Sequence, residues 1–448
     1  MSAVGNAIRE LRVKKGLSLR EVAGKQMTVA NLSSIELGKV LPSPNSLEYL
    51  ARALGTTLER LVAEYLKDVR RVTDLLNLAS VARRENQMEV LARVLSIIQS
   101  RALTDNLSKI NYARLLGHRA YLQYHRGKYN TSIKLYDAAA QEAVRAAGWY
   151  EAAAASYSSG ALLMKQGNYL SAACKLIDSL GYAVSCEQGT EREKLVIKIL
   201  QNLGIASLSL GLTEQARKCF KAVAIKSKRI GDSVHETRAL MGCGLTYELE
   251  NRWGEFRYWH ERALETACRA GLDPGTRSDI MSNIGMGFSR QGMYADAISL
   301  FDASLALRTA GDPHYIYTIS EKALCLLKAG RPQEAGALAD HYLHALLAAP
   351  LDDPCEQAVS LATLACVRAG LRDGRAADRL TEKLEEYLAG LLPQQRYEPA
   401  TKATHVFLEA GLSGEAVRLL LFLTRNYQME MVKIRVPDSY LASPFDQD

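Results

Sequence analysis

Traced by where its apolar residues fall, the chain opens with short segments and then settles into long ones. Over Val4 to Lys14, the residues Val4, Ile8 and Leu11 recur at helical spacing, and Gly16 ends the run. Ser18 stands before LREVAG with Glu21 three residues on, a pairing that caps a helix start from both sides. Gln26 and Met27 make a tight turn. Thr28 then caps VANLSSIELG, where Leu32 and Ile35 point inward and Gly38 stops the helix. After the loop LPSP, Ser46 to Leu54 and Thr57 to Leu66 supply two more amphipathic helices. Residues 1–66 are thus expected to form a domain of five short helices.

From about residue 68 the pattern repeats. Helix-breaking residues recur at Asn86, Gly127, Gly167, Gly211, Asn251, Gly292, Gly330, Gly370 and Gly411, at intervals of about 38 to 44. Such a period indicates stacked helical hairpins. Several breaks lead into a shared pattern ending in Ala, as in Gly167-Asn-Tyr-Leu-Ser-Ala and Gly292-Met-Tyr-Ala-Asp-Ala. Seven residues before the break stand Ala120, Gly160, Gly204, Gly244 and Gly285, small enough to let paired helices approach. The array is expected over 67–432. A tail follows at 433–448, which from Val436 has two prolines and no helical period; it is either disordered or an arm over the last repeat.

Composition changes this picture little. At 448 residues, 48% hydrophobic and 23% charged, the chain is an ordinary soluble one, too long for a single core. β-branched alternation is scarce, so the whole chain reads as all-α. The opening MSAVGNAIRELRVKKG has no apolar signal core, and no run reaches the roughly 18 apolar residues of a membrane span. The eight cysteines (Cys174, Cys186, Cys219, Cys243, Cys268, Cys325, Cys355, Cys366) show no C-x-x-C pair and are expected to be buried reduced thiols in a cytoplasmic protein. The histidines show no metal-ligand spacing, and no nucleotide-binding or nucleophile motif is present. Neither a metal, a cofactor nor a catalytic residue is expected, and the chain is read as no enzyme.

The net charge of +7 matters through its placement, since Arg9, Arg12, Lys14, Lys15, Arg20 and Lys25 meet only Glu10 and Glu21 in the first segment. That segment, with NLSSIELGKVLPSPNSLEYLARALGTTLERL, resembles the Xre/Cro/phage-repressor helix-turn-helix. The resemblance rests on Ala23, on the ending Ile35-Glu36-x-Gly38, and on the ladder Leu47, Leu50, Ala51, Leu54, Leu58 and Leu61. It implies a third helix lying in the major groove of double-stranded DNA. Val29, Ala30, Asn31, Ser33 and Ser34 would face out from it, with Asn31 suited to adenine and Val29 and Ala30 to thymine methyls. Thr28 caps that helix; Lys39 and the early basic residues would neutralise phosphates. Glu36 is expected to tie the loop after Gly38. Many relatives carry Gln where this sequence has Leu19, so Ser18 or Arg20 would stand in. A domain this small is expected to act as a homodimer on an inverted-repeat operator.

The repeats resemble the tetratricopeptide repeat, best in LGIASLSLGLTEQARKCFKAV and IGMGFSRQGMYADAISLFDASL, with helices about a turn longer than usual. The expected fold is an N-terminal five-helix helix-turn-helix domain and a right-handed tetratricopeptide-like α-solenoid. The fusion resembles the peptide-sensing Rgg/PlcR/PrgX/NprR regulators of Gram-positive bacteria. That resemblance implies a short signalling peptide on the concave face, dimerisation through the repeats and a quorum-sensing role. Asn202 and Asn283 stand nine residues before their break glycines, and an asparagine offers an extended peptide both a donor and an acceptor. In phase lie Lys198, Gln201, Arg238, Glu248, Ser282 and Arg290, with His118, Tyr121 and Tyr157 from earlier repeats. Arg238 and Arg290 either meet a peptide carboxylate or pair with Glu248 and Asp279. The alternative to a ligand-switched regulator is a DNA-localised scaffold whose repeats bind a partner protein.

Overall fold

The computed structural model describes residues 2–68, 71–100, 107–309, 312–348, 354–391 and 397–424, and among these it is helical with no strand. The tail lies outside the described residues, as do residues 69–70 of the junction after Leu66. By compactness the chain falls into two units, 1–162 with 181–186, and 163–180 with 187 onward.

The first unit begins with α1 (Ala3–Lys14), α2 (Leu19–Ala23), α3 (Val29–Glu36), α4 (Pro44–Ala53) and α5 (Leu58–Asp68). Their starts follow the local chemistry. Ser18 accepts from the Glu21 amide while the Glu21 carboxylate accepts from the Ser18 amide, and Thr28 accepts from the Asn31 amide. The fourth helix starts two residues earlier than its apolar pattern implied. Ser43 caps it and Pro44 occupies its first position, where a missing N–H costs nothing.

Two further helices, α6 (Val72–Arg84) and α7 (Met88–Ser100), share the core of the first five. One cluster runs from Val4 through Leu32, Leu61 and Leu75 to Leu122, so the apolar interior does not stop at residue 66. Charged pairs reinforce the join at the surface. Arg84 donates to Glu48 (2.6 Å) and Asn45 (3.3 Å) of α4, and Arg52 donates to Glu85 (2.8 Å). The pair α8 (Lys109–His125) and α9 (Tyr129–Arg145) adds a smaller cluster around Ala120 and Tyr136. Helices α10 (Trp149–Lys165) and α11 (Tyr169–Val184) contribute to both units.

The second unit stacks hairpins: α12 (Thr190–Ser209) with α13 (Thr213–Ile230), α14 (Ser233–Glu248) with α15 (Trp253–Arg269), and α16 (Pro274–Arg290) with α17 (Tyr294–Leu305). There follow α18 (Pro313–Lys328) with α19 (Pro332–Ala348), α20 (Pro354–Gly370) with α21 (Gly374–Gly390), and α22 (Tyr397–Glu409) with α23 (Ser413–Thr424). Each turn uses one left-handed residue, such as Gly211, Asn251 or Gly292. The hairpin at α20–α21 corrects the expected break. Its left-handed residue is Arg372, whereas Gly370 is still helical and packs so close to Leu327 that a Cβ there would lie 2.5 Å from a methyl of that side chain.

At three turns of the second unit the glycine seven before the turn meets a ring nine after it. Added Cβ atoms at Gly204 and Gly285 would come within 2.7 and 2.9 Å of the Phe220 and Phe301 rings, and His260 takes the same place against Gly244. The His260 imidazole is fully buried and its Nδ1–H donates to Phe256 O (3.0 Å), while its Nε2 has no partner. Burial pushes it down to about 4, so it is neutral at pH 7. The cysteines are all free, but the expectation of burial holds for only half of them. Cys219, Cys243, Cys325 and Cys366 are buried, whereas Cys174 and Cys268 are exposed on helix surfaces.

Candidate nucleic-acid interface and ligand face

The helix-turn-helix is held by ties that leave one face clear. Arg12 of α1 donates to both carboxylate oxygens of Glu36 at 2.6 and 2.7 Å and to Leu17 O at 3.0 Å. The side chains are 15% and 5% exposed, and Glu36 raises the already high pKa of Arg12. Two expectations change here. Glu36 holds α1 rather than the loop after Gly38, and Arg12 is withdrawn from the basic residues facing phosphate. Gly5 has no room for a Cβ beside Ile35 O, which sets α1 close against the end of α3. The Tyr49 hydroxyl donates toward Val22 O and Ala23 O (2.9 and 3.0 Å), fixing α4 to the end of α2.

With α3 held from behind, Leu32 and Ile35 are buried and Thr28, Val29, Ala30 and Asn31 are exposed; Ser33 and Ser34 are half-buried. Lys39 lies exposed beyond the helix, beside exposed Leu37, Val40 and Leu41. Arg9, Lys14, Arg20, Lys25 and Lys39 are exposed and form no ion pair among the described residues. Ser18 is exposed but committed to its cap. The surface therefore combines a short polar and apolar helix face with uncompensated positive charge.

The candidate ligand residues lie on first helices of the second unit, and the structure sorts them. Asn202 and Asn283 are half-buried and their side chains make no hydrogen bond among the described residues. Lys198 and Arg238 are exposed. Arg290 of α16 forms an ion pair with Glu248 of α14, so the two open alternatives resolve to pairing at that position. Asp279 is taken instead by buried Arg308. Ser282 is corrected: it is buried, with its hydroxyl 3.2 Å from that of Thr318, and does not present itself to a ligand. Gln201 is half-buried with an unpartnered carbonyl oxygen. Among the described residues no group of three or more His, Cys, Asp or Glu is arranged to hold a metal ion. No helix among them is long and apolar enough to cross a membrane.

Residues 3–64 match the family model of the helix-turn-helix domain. No curated protein matches the chain. Among solved structures, apo RapI is similar over 75% of this chain and 94% of its own, with a TM-score of 0.59 at 13% identity. A signal-transduction ATPase with numerous domains and a tetratricopeptide-repeat sensor, from Pyrococcus horikoshii, is similar over 87% of this chain and 57% of its own (TM-score 0.55, 12% identity). The apo form of the quorum sensor NprR from B. thuringiensis is similar over 79% and 98% (TM-score 0.50, 14% identity). At such identities the likeness is one of fold. The protein is a helix-turn-helix domain joined to tetratricopeptide-like repeats.

Proposed function

We propose that the chain is a cytoplasmic transcription regulator of the Xre type, which binds an inverted-repeat operator as a homodimer and senses a short signalling peptide through its repeats. The observation that carries the reading is the exposed start of α3. Val29, Ala30 and Asn31 face solvent next to uncompensated Lys14, Arg20 and Lys39, while every inward residue of the motif is packed. Base edges call for such a short face, and phosphates for the surrounding charge. For the repeats, support comes from the likeness to the quorum sensor NprR and from two asparagines in identical register. The likeness to the Pyrococcus ATPase is a reminder that one fold serves several functions.

Selection of binding duplexes from a random pool, followed by titrations with and without a panel of short peptides, tests the reading. The expected product is an inverted repeat bound by a dimer. Asn31→Ala should cost specific binding about 1–3 kcal/mol, whereas Lys39→Ala should weaken all sequences alike and lower the salt slope by about one. A cognate peptide should change operator affinity, and the operator should change peptide affinity by the same factor. Asn202→Ala with Asn283→Ala should remove that response and leave peptide-free DNA binding intact. Sequence-specific DNA binding that no peptide alters, together with capture of a partner protein by the repeats, is the outcome expected of a scaffold.

A further inference from the structure

Within the first unit, α6 and α8 meet along a polar seam. Asn77, Ser80 and Arg83 recur at three-residue spacing on α6, and Arg114, His118 and Tyr121 recur on one face of α8. They form three rungs. Arg114 donates to Asn77 Oδ1 (2.8 Å), Ser80 Oγ lies 3.2 Å from His118 Nε2, and the Arg83 guanidinium stacks on Tyr121, 4.5 Å from the ring centroid. Ser80 has one hydroxyl proton, which goes to Leu76 O at 3.0 Å. His118 Nε2 therefore donates to Ser80, and Nδ1 is left as an acceptor. His118 is 6% exposed and that Nδ1 is buried without a partner. An unmade buried acceptor costs about 1–3 kcal/mol, which calls for an explanation.

The charges matter as well. Three arginines elsewhere whose side chains are largely covered meet carboxylates: Arg12 pairs with Glu36, Arg217 with Glu250 and Arg308 with Asp279. Arg83 and Arg114 are half-buried and have no carboxylate partner among the described residues. Burial first, then these two arginines, push His118 down to about 3, so a neutral imidazole sits in a positive field. Next to Arg83, the rings of Tyr121, Tyr124, His125 and Tyr129 form a half-exposed shelf with centroids 4.6 to 6.3 Å apart.

We propose that this seam is a carboxylate-binding site for the free end of a peptide, or for a small acid of the same chemistry, that carries a hydrogen-bond donor and an apolar or aromatic side chain. Arg83, with its guanidinium carbon over the Tyr121 ring, offers the N–H groups of its fork to a bidentate carboxylate. The ligand's donor satisfies His118 Nδ1, and the aromatic shelf covers its side chain. The adjacent Arg84 holds Glu48 of the helix-turn-helix, so one turn of α6 carries both the ligand contact and the tie to the DNA-binding helices. That regulatory consequence rests on the function proposed above; the site itself does not.

The test is NMR of the full-length chain with labelled histidine, following the His118 ring signal assigned with His118→Gln. The probes are N-acetyl-Leu-Phe with a free carboxylate, its C-terminal amide, benzoate and inorganic phosphate. The free acid should shift the His118 signal saturably, and the amide should bind at least about tenfold more weakly, the scale of one charge-assisted hydrogen-bond pair. Arg83→Gln should lose the shift while keeping the helical signal and melting temperature, and Arg83→Lys should retain only part of it. Asn202→Ala with Asn283→Ala should leave it unchanged. Comparable response to benzoate assigns the site to small acids, and preference for the dipeptide assigns it to a peptide end. A silent His118, equal response to acid and amide, or a preference for phosphate overturns the proposal. A shift at His118 with no change in operator affinity leaves the site standing and removes its regulatory role.

Discussion

The helix-turn-helix and the repeat stack solve the same problem, fixing amphipathic helices, by different means. In the first, each long-range tie is used once: Arg12 to Glu36, Tyr49 to the end of α2, Gly5 against Ile35 O. In the second, one contact recurs, a small residue before the turn against a ring after it, as at Gly204–Phe220, Gly244–His260 and Gly285–Phe301. Unique ties suit a small domain that must present one face accurately. A recurring contact suits an array in which each hairpin leans mainly on its neighbours, so damage should stay local in energy and spread little.

The largest expected effect breaks the recurring contact. Phe220 is fully buried against both Gly204 and Gly242, so Phe220→Ala should cost about 3–5 kcal/mol. Hydrogen exchange should show the loss centred on α12 to α14, with α1 to α5 unaffected. Next, Glu36→Ala should cost about 2–3 kcal/mol, below the figure for a fully buried charge because Arg12 keeps some access to water. Its signature is reversed: exchange should rise across α1 to α3 and DNA binding should fall, while α12 to α17 stay protected. Uniform loosening of the chain by either variant would show that the two regions do not differ in this way.

Legibility in the sequence follows the same division. Features closed within a few residues could be read directly, including the Ser18–Glu21 box, the Thr28 cap and most of the turn glycines. The ladder from Leu47 to Leu61 was legible because helical period alone sends it inward. What needs a second helix was not. Glu36 and Arg12 are 24 positions apart, and nothing local says they meet. Ser282 carries the same register as surface residues but is covered by Thr318 of the next repeat. Arg83 and Arg114 lie on either side of the break at Asn86, and their lack of acidic partners among the described residues emerges only once α6 and α8 are paired. Arg372 takes the left-handed turn two residues after a glycine that the pattern favoured.

His260 offers a milder way to sharpen the contrast, since it stands where neighbouring hairpins use Phe. Its folded pKa of about 4 lies below the ordinary 6.5, so between those values the unfolded chain binds the extra proton. Stability therefore rises with pH through that window and is lost as pH falls below about 6.5. His260→Phe should remove this part of the dependence, on the order of 1–2 kcal/mol at pH 5, and change stability little at pH 7. Melting at both pH values checks it; identical pH dependence in variant and parent would place the imidazole's titration elsewhere.

The smallest effects come from two turns of the same kind with opposite occupants. Gly292 has φ of 78° and open space around a built Cβ, so Gly292→Ala meets backbone strain and nothing else. The expected cost is about 1 kcal/mol. Arg372 already bears that strain at φ of 61° and forms no ion pair among the described residues. Arg372→Gly relieves it, but the unfolded chain gains freedom that offsets roughly 0.5–1 kcal/mol, leaving a net gain of about a few tenths. Urea denaturation of the two variants beside the parent gives the answer in their signs. If Arg372→Gly destabilises as much as Gly292→Ala, the arginine side chain contributes packing that outweighs its backbone strain.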